Sequence, residues 1–146
     1  MLLISHRGNL SGRNTERENT PQYIEEALNL GYWVEVDIWE DTRGKLRFGH
    51  DCYSGDLVSA TFFANPMILF HCKNFGALRQ CKERYLHFFF HKDDFFTLSS
   101  KGWIISHSQN KPASRTIHML PEKNGYSKES LKDCAGICSD FIAFYA

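Results

Sequence analysis

An α/β fold, a trimmed barrel of seven or eight mostly parallel strands in a single domain over residues 1–146, is what the sequence predicts. Three observations carry that expectation. Short apolar runs alternate with segments of helical spacing, the pattern of a parallel sheet with right-handed crossovers. Titratable residues collect at the carboxyl ends of those runs, where barrels and open parallel sheets build their sites. The 146 residues suffice for one hydrophobic core, and no linker, repeat or low-complexity segment divides them.

The expected strands are residues 2–5, 32–39, 67–73, 87–91, 103–107, 117–120 and 136–141. The best-marked helix lies between the first two: Thr20 stands at the N-cap, Pro21 at the first helical position, Ile24, Ala27 and Leu28 on one face, and Gly31 at the end. A second helix is expected from Asn74 as cap through Leu78 to Arg84. A third runs from Asp93 or Asp94 to Gly102, and a fourth from Ser127 to near Cys134. One detour breaks the rhythm. Asp41-Thr42-Arg43-Gly44 is a turn signal, and residues 45–48 form a short extended piece that pairs with the end of the second strand and delivers Gly49-His50-Asp51. Barrels of the TIM type typically need ~250 residues, so this chain implies a shortened one.

Lys plus Arg and Asp plus Glu number 17 each, so no global field draws the chain to nucleic acid or to an anionic membrane. An anionic substrate must be held by a local site. The five cysteines are odd in number and lack C-x-x-C spacing. Met1-Leu2-Leu3-Ile4 gives way at once to polar Ser5-His6-Arg7, and apolar runs such as Phe88-Phe89-Phe90 are far shorter than a membrane span. These features lead to the expectation of reduced thiols, a cytoplasmic location and no membrane insertion.

Glu35 and Asp37 stand two apart on the second strand, so both leave the same face while Val34, Val36 and Ile38 fill the other. Two carboxylates this close in an apolar interior repel unless a cation lies between them, which points to a divalent metal held by oxygen ligands. A solvated edge strand would also accept such a pair, but the flanking Trp33 and Trp39 argue for burial. His6-Arg7-Gly8 follows the first strand directly. His6 can exchange a proton near neutral pH, Arg7 can grip a phosphoryl oxygen with two donors, and Gly8 lets the chain turn tightly. A plain surface loop would fit the same three residues. In Gly49-His50-Asp51 the carboxylate can orient the imidazole or simply make an Asx-turn. His71 and Lys73 share a face of the third strand, and His91 with Asp93 and Asp94 is either a catalytic cluster or a helix start. His87, His107 and His118 are read as structural.

Taken as an ordered set, these residues resemble the glycerophosphodiester phosphodiesterase family, within the wider group that includes phosphatidylinositol-specific phospholipase C. His6-Arg7-Gly8 is similar to the family's opening motif, Glu18-Asn19-Thr20-Pro21 to its E-N-T turn, Glu35-Val36-Asp37 to its E-x-D, and His50-Asp51 follows at the family's interval. Beyond residue 51 the likeness is looser. Phe70-His71-Cys72-Lys73 falls where the family has an I-E-x-K strand, and Ile137-Cys138-Ser139-Asp140-Phe141 is similar to its closing strand.

The resemblance implies a metal-dependent phosphodiesterase with His6 and His50 as the acid–base pair. It implies Glu35, Asp37 and the position of His71 as ligands of a divalent ion, and Arg7, Lys73 and His91 on the phosphate or substrate. The expected substrate is a small-molecule phosphodiester with a hydroxyl beside the ester oxygen, and the expected ion is Mg²⁺, Mn²⁺ or Ca²⁺. His71 in place of a third carboxylate shifts the preference toward Mn²⁺ or Zn²⁺. A lyase that stops at the cyclic phosphate, and a phosphate-binding barrel without turnover, are the alternatives. Removal of either Glu35 or Asp37 is expected to raise the melting temperature of the metal-free protein by relieving repulsion.

Overall fold

The computed structural model describes residues 1–52 and 55–146. Its strands are β1 (Leu2–His6), β2 (Trp33–Glu40), β3 (Leu46–Phe48), β4 (Ile68–Cys72), β5 (Phe88–Phe90), β6 (Phe96–Leu98), β7 (Ile104–Ser106), β8 (Thr116–Met119) and β9 (Gly136–Ser139). The helices are α1 (Pro21–Asn29), α2 (Ala60–Ala64), α3 (Phe75–Glu83) and α4 (Ile142–Tyr145), with 3₁₀ turns at Pro121–Asn124 and Glu129–Leu131. Hydrogen-bonded neighbours run β5-β4-β2-β1-β9-β8-β7-β6, with β3 paired to β2 outside this path. Among the described strands, only the pairs β2–β3 and β6–β7 are antiparallel. The strands thus follow chain order around a nearly closed, mostly parallel barrel. At the seam, Ser100 N donates to Phe88 O at 2.8 Å and Phe88 N to Ser100 Oγ at 3.0 Å.

All seven expected strands form, as does the hairpin that carries His50. Val34, Val36 and Ile38 leave β2 outward and pack with Ile24 and Ala27 of α1 and Ala77 and Cys81 of α3. Each of the three is fully buried, which contributes about 1.5–3 kcal/mol per side chain. The inward positions form a second cluster of Ile4, Leu69, Phe89, Ile105, Ile117 and Cys138. Below it, Trp33 and Trp103 lie 5.0 Å apart and His87 packs edge-on to Trp103 at 4.3 Å. The lumen is therefore plugged by apolar and aromatic groups, and the same period-2 alternation places the next inward residues at the carboxyl ends.

The ends of α1 and α3 follow their signals with one change. Asn74 Oδ1 accepts from Ala77 N at 3.1 Å as a cap, and Asn74 also exchanges hydrogen bonds with the backbone of Glu40 at the end of β2. Thr20 stands at the N-cap of α1, but its hydroxyl donates to Arg17 O at 2.6 Å instead. Gly31 takes φ +87°, the left-handed stop.

Two expected helices are corrected. The segment from Asp93 to Gly102 contains β6 and a tight turn, not a helix. Ser99 exchanges backbone hydrogen bonds with Trp103 and Gly102, and the Ser99 hydroxyl meets His87 Nε2 at 2.9 Å. Phe95-Phe96-Thr97-Leu98 is a sequence of strand formers, and Gly102 at φ +82° supplies the turn. The segment after Ser127 yields only the 3₁₀ turn at Glu129–Leu131, because Ser127 Oγ draws Ser130 N and Arg115 N bonds Asp133 O. Residues 142–145, beyond the last expected strand, form α4, which packs on β1 and β9. Phe96 and Leu98 of β6 and Ile104 of β7 are left exposed. No helix among the described residues is long and apolar enough to cross a membrane.

Candidate active site

The carboxyl ends of the strands open into a cavity of ≈ 420 Å³ whose walls include His6, Arg7, Glu35, His50, His71 and Lys73. His91 lines it too, so the structure brings these sequence-selected residues to one mouth, with Asp37 just beneath. Arg7 and Gly8 turn the chain out of β1 with φ of +58° and +91°. A Cβ on Gly8 would lie 3.0–3.1 Å from Tyr23, so only glycine lets α1 pack this close. Asn19 also has positive φ, at +60°, and the loop is tied by Arg7 N to Glu35 O and Asn19 N to Arg7 O. Left-handed residues held this way store strain that the surrounding bonds must hold in place.

Glu35 and Asp37 are completely buried. Asp37 Oδ2 is 2.8 Å from Arg7 Nε and accepts from Asn19 Nδ2 at 2.9 Å, while Asn19 Oδ1 accepts Asp37 N. Asp37 Oδ1 lies 3.0 Å from His71 Nδ1 and 3.9 Å from Lys73 Nζ. Burial opposes the charge on Asp37, but His71 and Arg7 overcome it and hold the carboxyl well below the usual range. The expected gain in stability on removing a carboxylate therefore reverses for Asp37. Its loss would strand Arg7 and His71.

Glu35 is different. Neither of its oxygens has a hydrogen-bond partner; His71 Nδ1 lies 3.4 Å from one and His6 Nε2 3.8 Å from the other. Asp37 Oδ1 is likewise without a hydrogen bond. One donor atom from each of Glu35, Asp37 and His71 lies within 4.8 Å of the others. Two carboxylates and an imidazole with orphaned oxygens fit a divalent cation, and the mixed donor set suits Mn²⁺ or Zn²⁺ better than Mg²⁺.

The His71 ring is sandwiched against Phe89 at 4.4 Å, and its Nε2 reaches His91 O at 3.4 Å. Burial disfavours its proton, but the close carboxylates of Asp37 and Glu35 win and raise its pKa to about 9. His87 and His107 go the other way, lowered to about 4 by burial and by neighbouring cations. The signs fix a pH profile for the metal-free protein. His71 binds more protons folded than unfolded, so its stabilisation is complete below pH ~6.5 and lost as pH rises through ~9. His87 and His107 bind fewer protons folded, so stability falls as pH drops from ~6.5 toward ~4. Urea midpoints measured in chelator should peak near pH ~6.5, and His71→Gln should flatten the alkaline limb. An unchanged alkaline limb in that variant would remove His71 from this role.

His6 Nδ1 lies 2.7 Å from Asp140 Oδ1, which also accepts from Asn9 Nδ2 at 2.8 Å. His6 Nε2 thus faces the cavity. Burial works against its charge, yet Asp140 and Glu35 raise its pKa on balance. His50 repeats the device half-exposed, with Nδ1 2.6 Å from Asp51 Oδ1. His91 lines the cavity and stacks on His107 at 3.4 Å and 13°, so His107, read as structural, is part of the cavity wall. Asn9 and the orienting role of Asp140 had not been read from the sequence. Asp140 could have been found, since it continues the inward alternation of Gly136 and Cys138.

A nearly closed, mostly parallel α/β barrel with a buried two-carboxylate, one-histidine cluster at its carboxyl-end mouth is thus the class of protein that fold and site define. No family model, curated protein or solved structure matches the chain.

Proposed function

We propose that this chain is a shortened TIM-type barrel acting as a metal-dependent phosphodiesterase on a small glycerophosphodiester-like substrate. The observation that carries the reading is the convergence of Glu35, Asp37 and His71 with two histidine–aspartate pairs on one cavity. Glu35, Asp37 and His71 would hold the cation, which when bound supplies charge neutralisation of a phosphoryl oxygen. Arg7 and Lys73 orient the phosphate and stabilise the charge that develops on it. Asp140 and Asp51 fix His6 and His50 through Nδ1, leaving each Nε2 to take or give a proton. One histidine removes the proton of the substrate hydroxyl beside the ester, and that oxygen forms the new bond to phosphorus. The other protonates the alkoxide released as the old P–O bond breaks. The product of this step is a cyclic phosphate, which water opens by the reverse use of the two histidines. A pure binding barrel would need no such couple.

Calorimetric titration of chelator-treated protein with Mn²⁺ tests the reading. One ion per chain should bind, and His71→Gln should weaken it about tenfold or more. Absence of binding in the wild-type protein would sink the proposed metal centre.

A further inference from the structure

The charges around the cavity are unevenly divided. Glu35 and Asp37 on β2 face His6, Arg7, His71 and Lys73, all within 4 Å of one carboxylate or the other. Two further cations line the same cavity, Lys92 beyond β5 and Lys123 on the 3₁₀ turn after β8. Among the described residues neither has a carboxylate within ion-pair distance. Between them lie His107, Ser108 and Gln109 at the end of β7.

This wall is built. Gln109 Nε2 donates to Asp94 O at 3.1 Å and Asn110 Nδ2 donates to Phe95 O, joining the β7 loop to the loop after β5. Asn124 Nδ2 donates to Ser108 O, joining the β7 loop to the turn that carries Lys123. The backbones bearing Lys92 and Lys123 are therefore fixed relative to each other and to the metal-site wall. Two unpaired ammonium groups flanking hydroxyl and amide donors match a doubly charged anion, and each charge-assisted hydrogen bond is about twice as strong as a neutral one. A single carboxylate would leave one ammonium unmatched.

We propose that Lys92, Ser108, Gln109 and Lys123 form a subsite for a second phosphate, so that the diester cleaved here carries a phosphate monoester on one of its alcohols. This inference rests on the phosphodiesterase reading of the cavity. A diester whose alcohols are uncharged would leave the wall unused.

Two inert probes separate the possibilities: propyl phosphate, with one phosphate, and propane-1,3-diol bisphosphate, with two. Calorimetry on the Mn²⁺-loaded full chain should show the bisphosphate binding about tenfold or more tighter than propyl phosphate. In the double variant Lys92→Ala/Lys123→Ala that preference should vanish while propyl phosphate affinity is unchanged; both lysines are exposed, so the fold is not at risk. Equal affinity for the two probes in the wild-type protein would overturn the subsite and leave the phosphodiesterase reading standing. A preference that survives in the double variant would overturn it as well. Failure of both probes to bind would overturn the subsite together with the reading of the cavity.

Discussion

Asp37→Ala is expected to destabilise the metal-free protein by about 3–5 kcal/mol, the cost of removing one partner from a buried ion pair. The reason lies in what Asp37 satisfies. Its two oxygens meet the Arg7 guanidinium, the Asn19 amide and the His71 imidazole, and all these partners are buried. Alanine leaves Arg7 charged without its closest counter-ion, since Glu18 is 3.4 Å away from a different nitrogen. It also frees the loop that Asn19 clamps, because one Asn19 side chain bonds both the carboxylate and the backbone N–H of Asp37. Glu35→Gln should cost within about 1 kcal/mol, because Glu35 makes no hydrogen bond that the amide would lose. Urea unfolding of the two variants in chelator measures the contrast. Equal losses would mean that the cluster acts as one unit and that Asp37 has no special anchoring part.

His6→Asn is expected to lower turnover by about 10²–10⁴, the usual range for removing a positioned acid–base group. Asn keeps a polar contact for Asp140 but cannot carry a proton between the substrate and the cavity. Metal affinity should change only a few-fold, since His6 Nε2 stands 3.8 Å from Glu35 and lies outside the cluster of Glu35, Asp37 and His71 proposed to hold the ion. The variant should also lose one limb of the pH–rate profile. Asp140→Asn tests the orientation separately: it should shift that limb and lower turnover while leaving the imidazole in place. A His6→Asn loss below about tenfold would take His6 out of proton transfer.

The parts of the fold that were legible in the sequence are those set by local period. Glu35 and Asp37 two apart, opposite Val34, Val36 and Ile38, gave both the face and its burial, and β2 is built that way. Asn74 was legible as a cap because its role lies within a few residues. The segment after Asp93 was not, because its outcome depends on distant partners. Ser99 and Ser100 bond His87 and Phe88 across the seam, and no spacing within residues 93–102 reports that. In the site, the motif residues were legible as types, but their partners were not. Asp140 lies 134 positions from His6, and the sign of the stability effect at Asp37 turned on Arg7, Asn19 and His71 meeting one carboxylate. Lys92 and Lys123 carried no signal at all until the β5, β7 and β8 ends stood beside one another.

Hydrolysis of a glycerol p-nitrophenyl phosphodiester tests the central claim most directly, measured with Mn²⁺, after chelation, and in Glu35→Gln. The account predicts p-nitrophenol release by the metal-loaded protein, loss on chelation, recovery when Mn²⁺ is restored, and a fall of about 10³-fold or more in Glu35→Gln. Release at the wild-type rate from chelated protein or from Glu35→Gln would contradict it, as would no release with any divalent ion.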